Sequence, residues 1–335
     1  MLFLGIEILS IPVYVLAGSR KQDVAGNEAA FKYFLLGAMA SAILLFGMAL
    51  IYGSTGTFDM NTILSPEAMT SPNILLQTGL VISLAALSFK ISAVPFHFWA
   101  PDVYQGAPTP ITAYMATIVK VASFAALLKF FQFFKPLMAQ ETMNGVFIVI
   151  FLTLALSNII ALAQHKVKRL LAFSSISHTG FMLMGIFGNA DNLVYYSLVY
   201  GIASLVAFRV FQMMGDENGT VSGFKGFMAR NQLAAGSMIL AMLSMAGIPP
   251  LSGFLAKYMM LATALSAGAA WLLVVGILAS LLAIYYYFKI IIAMFQPAEA
   301  AEEQVVQPLP VTDRLFFWIC SILLVGLGIY PFFLN

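Results

Sequence analysis

Long apolar stretches, separated by short polar or proline- and glycine-rich segments, run along the whole chain. A helix needs about 20 apolar residues to cross a bilayer, so each stretch predicts one membrane-spanning helix. The predicted spans are 2–18, 29–52, 73–99, 108–134, 145–164, 170–187, 193–214, 233–266, 269–295 and 315–333. The alternating apolar and polar residues of an outer-membrane barrel are absent from the sequence. The pattern therefore predicts an all-α polytopic membrane protein of about ten transmembrane helices.

Two of these spans are too long for one straight helix, and each contains proline. Span 73–99 contains Pro95, and span 233–266 contains Pro249 and Pro250. Proline removes a backbone donor and clashes with the preceding turn, so both spans are predicted to be broken helices. Because a break at membrane depth must line a cavity or be covered by protein, a pair of broken helices is typical of a transport site.

Lysine and arginine are distributed unevenly between the two sets of loops. The basic set, including residues near helix ends, consists of Arg20, Lys21, Lys32, Lys166, Lys168, Arg169, Arg209, Lys225, Arg230, Lys289 and Arg314. The other set holds only Lys129 and Lys135. The positive-inside rule places the basic set in the cytoplasm and both termini on the opposite side. The acidic run Glu299, Glu302 and Glu303 then lies in a cytoplasmic loop, where we interpret it as a solvated linker.

Composition excludes a soluble enzyme. Of the 335 residues, 61% are hydrophobic and 9% are charged, whereas a soluble domain carries about a quarter charged residues. The net charge of +2 gives no indication of a nucleic-acid partner. The single cysteine, Cys320, lies in an apolar run, which excludes disulfides, cysteine-ligated zinc and iron–sulfur clusters in this chain. The sequence contains no Walker motif, dinucleotide fingerprint or metal-ligand spacing.

A few charged residues lie well inside the predicted spans, namely Glu7, Lys90, Lys120 and Lys257. A charge at the bilayer centre costs about 2.5–3.5 kcal/mol on insertion scales, so such residues are candidates for function. A buried lysine beside a glutamate can be poised to gain and lose a proton, as a proton relay requires. Two alternatives stay open: Lys257 can snorkel to the interface, and Glu7 can lie nearer the surface because its span is short.

The three histidines are weaker candidates. His178 lies among hydroxyl residues inside a helix, and it is either a member of a proton relay or a hydrogen-bonded packing residue. His97 follows the first break, where it can line a hydrated path or cap the broken helix. His165 lies in a basic loop and is expected to be solvated.

Four stretches resemble the antiporter-like membrane subunits of respiratory complex I, and among these the subunit N type. They are LGIEILSIP at 4–12, FKISAVPFHFWAPDVYQGAPTP at 89–110, KRLLAFSSISH at 168–178 and AGIPPLSGFLAK at 246–257. The resemblance covers essentially the whole chain and implies an inverted-repeat fold. In this interpretation the fold is N-terminally incomplete and lacks the first four helices of the family. The remainder of the first repeat is 1–134, the second repeat is 145–295 and a C-terminal helix is 315–333.

The resemblance also implies a function. It predicts a proton-translocating subunit of NADH-quinone oxidoreductase in the bacterial inner membrane. Such a subunit has no redox centre or bound cofactor of its own, while NADH and a quinone are used elsewhere in the complex. The implied partners are other membrane subunits of complex I and the lipid bilayer, with no nucleic acid. The relay residues of the family fall on Glu7, Lys90, Lys120, Lys257, His178 and Lys168.

Two other functions are compatible with parts of this pattern. A subunit of a cation/proton antiporter would share the fold and the lysines, and the form PDVYxG favours complex I over it. A structural scaffold with inert charges is disfavoured by the cost of placing several charges in the membrane.

Overall fold

Helices make up nearly all of the regular structure in this computed structural model, which describes residues 1–64, 73–215, 219–297 and 309–329. The helices are α1 Leu2–Ala17, α2 Val24–Thr55, α3 Met60–Ile63, α4 Ile74–Lys90, α5 Trp99–Gly106, α6 Thr109–Tyr114, α7 Lys120–Phe134, α8 Gln140–Leu162, α9 Val167–Gly185, α10 Ala190–Met213, α11 Phe227–Arg230, α12 Gln232–Ala246, α13 Ser252–Ser266, α14 Ala270–Phe295 and α15 Val311–Ile329. A π-helical turn, Met115–Val119, joins α6 to α7.

The helices confirm the predicted all-α membrane fold. Within the described residues, six helical stretches are long and apolar enough to cross a membrane. These are Val24–Thr55, Thr109–Leu137, Gln140–Leu162, Ala190–Met213, Ala270–Phe295 and Val311–Ile329. Shorter apolar helices are α1, α4 and α12, and the last two are the first halves of the broken spans.

Two predicted features lie outside the described residues, namely the acidic run Glu299, Glu302 and Glu303 and the end of the last predicted span. The division into repeats stays a prediction.

Several helices begin at an acidic or amide residue that caps the first turn. Asp23, Asn73, Asn189 and Asn231 each accept a hydrogen bond from a backbone amide two or three residues later. Such a cap contributes typically about 1 kcal/mol, because it satisfies a donor that has no partner within the helix. The cap at Asp23 explains why α2 begins before the apolar run from which its span was predicted.

Both predicted breaks are present. The first separates α4 from α5 and contains Ser92 at φ 60°, and the second separates α12 from α13 and contains Gly247 at φ 86°. A left-handed residue ends an α-helix, and glycine adopts this conformation without a steric penalty. Helix α4 therefore ends at Lys90, several residues before Pro95.

Side chains cover the backbone groups that the breaks release. Thr153 Oγ1 accepts a 3.0 Å hydrogen bond from the amide of Val94 in the first break. At the second break, Ser244 Oγ accepts a 3.1 Å hydrogen bond from the amide of Gly253. Non-helical backbone at membrane depth is tolerated where protein satisfies it, so these hydroxyls help to hold the breaks in place.

The distribution of side chains is the reverse of that in a soluble protein. Lys120 and Lys168 are buried between helices, whereas Ile8, Leu281 and Ile322 are exposed on the outer surface. An exposed apolar surface around a polar interior is expected where lipid is the solvent. This arrangement indicates a multi-pass membrane protein.

Glycines allow very close packing around the second break. A Cβ on Gly253 would lie 1.8 Å from the carbonyl oxygen of Ser244, and one on Gly328 would lie 2.2 Å from that of Pro250. The helix α13 therefore packs against the end of α12, and α15 packs against the break itself. Small residues at helix contacts are the usual means of such packing in membranes.

We predict that Gly253→Ala destabilises the protein by about 1–3 kcal/mol, because the added methyl group meets backbone that cannot move aside. Gly236→Ala in α12 is the matched control, since its Cβ would have nothing within 4 Å. Thermal unfolding of the purified protein in detergent measures both variants. Equal unfolding midpoints for the two would contradict the packing described.

Candidate functional site

Lys90 and Glu7 form an ion pair at the first break. Lys90 is the last residue of α4, and its Nζ lies 3.6 Å from Glu7 Oε1 on α1. The carbonyl end of a helix carries a partial negative charge, which favours an ammonium group there. The sequence pattern placed Lys90 well inside one span, but the structure places it at the end of a half-helix.

Three hydroxyl groups surround this ion pair. Lys90 Nζ donates to Ser10 Oγ at 3.2 Å, to Tyr14 OH at 3.2 Å and to Ser41 Oγ at 3.3 Å. Ser41 Oγ in turn donates a short hydrogen bond to Glu7 Oε1. Ser41 therefore links the two charged groups through a second, hydrogen-bonded route.

Lys120 lies at the start of α7, directly after the π-helical turn. Its Nζ donates to the carbonyl oxygen of Ser175 at 2.8 Å, to the Ser175 hydroxyl through a short contact, and to Thr179 Oγ1 at 3.0 Å. It also lies 5.8 Å from the centre of the Tyr200 ring. Among the described residues no carboxylate pairs with Lys120, so oxygen dipoles and a ring face are its partners.

Thr179 connects Lys120 to the first break. Its Oγ1 lies 3.0 Å from the carbonyl oxygen of Ile91, the residue after Lys90, and 3.1 Å from that of Ser175. The same oxygen accepts the hydrogen bond from Lys120. One hydroxyl group therefore contacts both the first break and Lys120.

His178 is buried on α9 between two phenol groups. Its Nδ1 lies 2.7 Å from Tyr196 OH and its Nε2 lies 3.1 Å from Tyr287 OH. The Tyr200 ring lies tilted against the imidazole with 4.8 Å between the ring centres, and Tyr200 OH donates a hydrogen bond to Ser175 Oγ at 2.8 Å. His178 is thus adjacent to the partners of Lys120, and a phenol can both donate and accept a proton.

Lys257 lies on α13 and reaches back across the second break. Its Nζ donates a 3.0 Å hydrogen bond to the carbonyl oxygen of Ala246, the last residue of α12. It also lies 4.9 Å from the centre of the Phe181 ring. Lys257 is buried, which argues against snorkelling to the interface. Lys257 thus binds the carbonyl end of α12, whereas Lys90 is itself the last residue of α4.

A small cavity separates His178 from the second break. Its volume is about 10 Å³, and its walls include His178, Tyr200, Ser244 and Gly253. A cavity of this size holds about one water molecule when polar groups line it. It connects the histidine with the residues that precede Lys257 on α13.

Lys168 lies at the end of the molecule where the basic set of loops is found, called here the basic end. It is buried, and its Nζ donates a 2.8 Å hydrogen bond to the carbonyl oxygen of Ala107, directly after α5. Its neighbour Arg169 pairs with Asp102 at 2.7 Å, and Asp102 also pairs with Lys32 at 3.1 Å. These ion pairs join α2, α5 and α9 beside Lys168.

A wider cavity opens at the other end of the molecule. Its volume is about 550 Å³, and its lining includes Gln140, Asn189, Asn192 and Thr263. Because Thr263 lies on α13, this opening adjoins the helix that carries Lys257.

The other two histidines lie apart from this chain of contacts. His97 is buried in the first break, and its Nδ1 has no hydrogen-bond partner among the described residues. His165 is exposed in its loop. No group of three or more His, Cys, Asp or Glu in the described part of the chain is placed to hold a metal ion.

The sequence did not single out the hydroxyl groups that join the charges. Ser41 and Tyr14 partner Lys90, and Ser175 and Thr179 partner Lys120. These hydroxyl groups are uncharged, so the charged residues in the apolar spans do not indicate them. Serine, threonine and tyrosine inside those spans were the available signal, although the sequence does not show which helices meet.

Comparison with known proteins places the chain in a family. Residues 1–283 match the family described as NADH:quinone oxidoreductase/Mrp antiporter, TM. The NADH-quinone oxidoreductase subunit N of Cytophaga hutchinsonii is 43% identical over 340 residues, which are 99% of this chain and 73% of that protein. The chain thus belongs to the NADH:quinone oxidoreductase/Mrp antiporter transmembrane family, and the resemblance to subunit N is confirmed.

Solved structures agree with this assignment. A chain of respiratory complex I from Thermus thermophilus has a TM-score of 0.87 and 38% identity, and the match covers 98% of this chain and 72% of that one. A chain of the Mrp complex from Dietzia sp. DQ12-45-1b has the same TM-score of 0.87 at 22% identity, covering 99% and 71%, and it shows the shared fold. Both neighbours belong to multi-subunit membrane complexes, which supports the predicted membrane-subunit partners.

The partners of the two buried lysines predict opposite effects on stability. Lys90→Met leaves Glu7 without its ion pair and should cost about 1–3 kcal/mol. Lys120→Met removes a desolvated lysine that has no carboxylate partner among the described residues, so it should be neutral or stabilising.

Thermal unfolding of the two variants in detergent measures the difference. Combining Lys90→Met with Glu7→Gln should recover part of the loss, because the two positions are coupled. Equal destabilisation by Lys90→Met and Lys120→Met would contradict the assignment of the ion pair.

Proposed function

We propose that this chain is a subunit N-type membrane subunit of NADH-quinone oxidoreductase that translocates protons. The names of its relatives support the complex, and one observation supports the role. Buried titratable groups follow one another from the Glu7–Lys90 pair through Lys120 and His178 to Lys257, with hydroxyl groups between the first three. Ionisable residues buried at membrane depth are typical of proton pathways.

The Glu7–Lys90 pair is the switch of this mechanism. While the pair is closed, the carboxylate and the carbonyl end of α4 favour the charged form of Lys90. A conformational or electrostatic change that separates the pair removes that stabilisation, and Lys90 then loses its proton in the direction of Lys120. Thr179 contacts both the first break and Lys120, so the same rearrangement reaches the second lysine.

The remaining steps run toward the second break. Ser175, Tyr200 and Tyr287 supply hydroxyls beside Lys120 and His178 that can accept and donate protons. The one-water cavity next to His178 is the proposed crossing to Lys257. The wide cavity along α13, with Gln140, Asn189, Asn192 and Thr263 in its lining, is the proposed exit.

Entry and orientation complete the proposal. Lys168 at the basic end serves as the proposed intermediate at the entrance, and the positive-inside rule makes that end cytoplasmic. The membrane is then a bacterial inner membrane with both termini on its outer side. The chain is a translocating part of an oxidoreductase without a redox centre, and NADH and quinone react on other subunits.

A cation/proton antiporter subunit is the second candidate. The shared fold with the Mrp chain from Dietzia favours it, whereas the identity to subunit N proteins favours complex I. Vesicles that contain this protein without redox partners distinguish the two. Proton exchange driven by sodium or potassium would identify an antiporter.

We expect Lys90→Ala and Glu7→Ala to reduce NADH-driven proton pumping severalfold while the complex stays assembled, because each removes one half of the switch. Proton uptake into vesicles that contain the complex measures this, with NADH oxidation under uncoupled conditions recorded in parallel. Lys129→Ala is the matched control, since Lys129 is an exposed lysine on α7. Full pumping by Lys90→Ala would refute the relay.

A further inference from the structure

A groove at the basic end of the molecule is not used by the proton pathway. Its volume is about 670 Å³, and it lies between the end of α14 and the segments that precede α9 and follow α10. Its lining includes His165, Lys225, Lys289, Tyr285, Phe288 and Ile292.

Backbone hydrogen bonds fix the walls of this groove. The amide of Val167 donates to the carbonyl of Gly219 at 3.1 Å, and the amide of Val221 donates to that of His165 at 3.1 Å. The amide of Gly226 donates to the carbonyl of Gln296 at 2.7 Å, which ties the end of α14 to the same wall. Three separate segments of the chain therefore hold the groove in one shape.

The rim of the groove is basic. Lys225, Lys289 and His165 lie on it, and no acidic residue lines it within the described part of the chain. Lys289 Nζ is held 3.4 Å from the carbonyl oxygen of Gln164, which positions the ammonium group at the rim. The charge of this rim is complementary to a phosphate group.

The floor of the groove is apolar and continues along the outer face of α14. Phe288 is half-buried, and Tyr285 and Ile292 are exposed. Further along the same helix, Leu278 and Leu281 are exposed as well. This outer face would lie in the acyl region of the bilayer, with the basic rim at its edge.

We propose that the groove binds an anionic phospholipid. The basic rim would hold the phosphate headgroup, and the acyl chains would lie along the apolar outer face of α14. Free phosphate fits only the rim and a neutral lipid fits only the floor, whereas an anionic phospholipid fits both parts. Basic pockets between helices at the cytoplasmic surface are a known means of recognising such headgroups.

Photolabelling of the assembled complex in phosphatidylcholine vesicles tests this site. A photoreactive phosphatidylglycerol analogue should label peptides of α14 that contain Tyr285 and Ile292, and a phosphatidylcholine analogue should label them much less. Lys289→Gln should lower the phosphatidylglycerol labelling about fivefold, since one lysine near an anionic surface contributes about that factor. Lys21→Gln, an exposed lysine of the same set of loops, is the control and should leave the labelling unchanged.

Other results would overturn the proposal. Equal labelling by the two analogues would show that the rim does not select a charge. Competition by inorganic phosphate as effective as that by phosphatidylglycerol would show that the acyl face contributes nothing. Labelling that appears only after Glu299, Glu302 and Glu303 are replaced by glutamine would assign the groove to the acidic segment of this chain. Lys225→Gln repeats the test at a second position on the rim.

Discussion

A charge inside a membrane needs a partner, because the surrounding medium cannot solvate it. In this protein the partners are of two kinds. Lys90 has a carboxylate and three hydroxyls. Lys120 instead has a carbonyl oxygen, two hydroxyls and an aromatic ring, and Lys257 has a carbonyl oxygen and an aromatic ring. The partners of Lys90 come from the neighbouring helices α1 and α2, and the oxygens that bind Lys120 come from α9.

The two broken helices shape two of these lysine sites. An unbroken helix uses its carbonyl groups internally, but a helix that ends in the membrane leaves its last carbonyls available. Lys90 lies at the end of α4, and Lys257 reaches the end of α12. Hydroxyls from neighbouring helices and very close glycine packing then cover the irregular backbone. The breaks therefore serve both the stability of the buried charges and their proposed exchange of protons.

The sequence was sufficient for the class of fold and for the positions of the charges. Apolar runs predicted the helices, and Pro95 and Pro249–Pro250 predicted the breaks. It was not sufficient for the end of α4, which is set by the left-handed Ser92 rather than by the proline itself. It also could not show that Ser41 would meet Lys90, because that contact joins helices distant in the chain. The contacts between Lys120 and α9 depend on helix packing in the same way.

The Thr179 hydroxyl joins the first break to Lys120 on the proposed proton pathway. Thr179→Val tests this connection most directly, because valine keeps the shape of threonine and removes only that hydroxyl. Thr78→Val on α4 is the control, since Thr78 is exposed and bonds only within its own helix. The number of protons moved per NADH oxidised, measured in vesicles containing the assembled complex, should fall in Thr179→Val and stay at the wild-type value in Thr78→Val. A wild-type ratio in Thr179→Val would contradict the account.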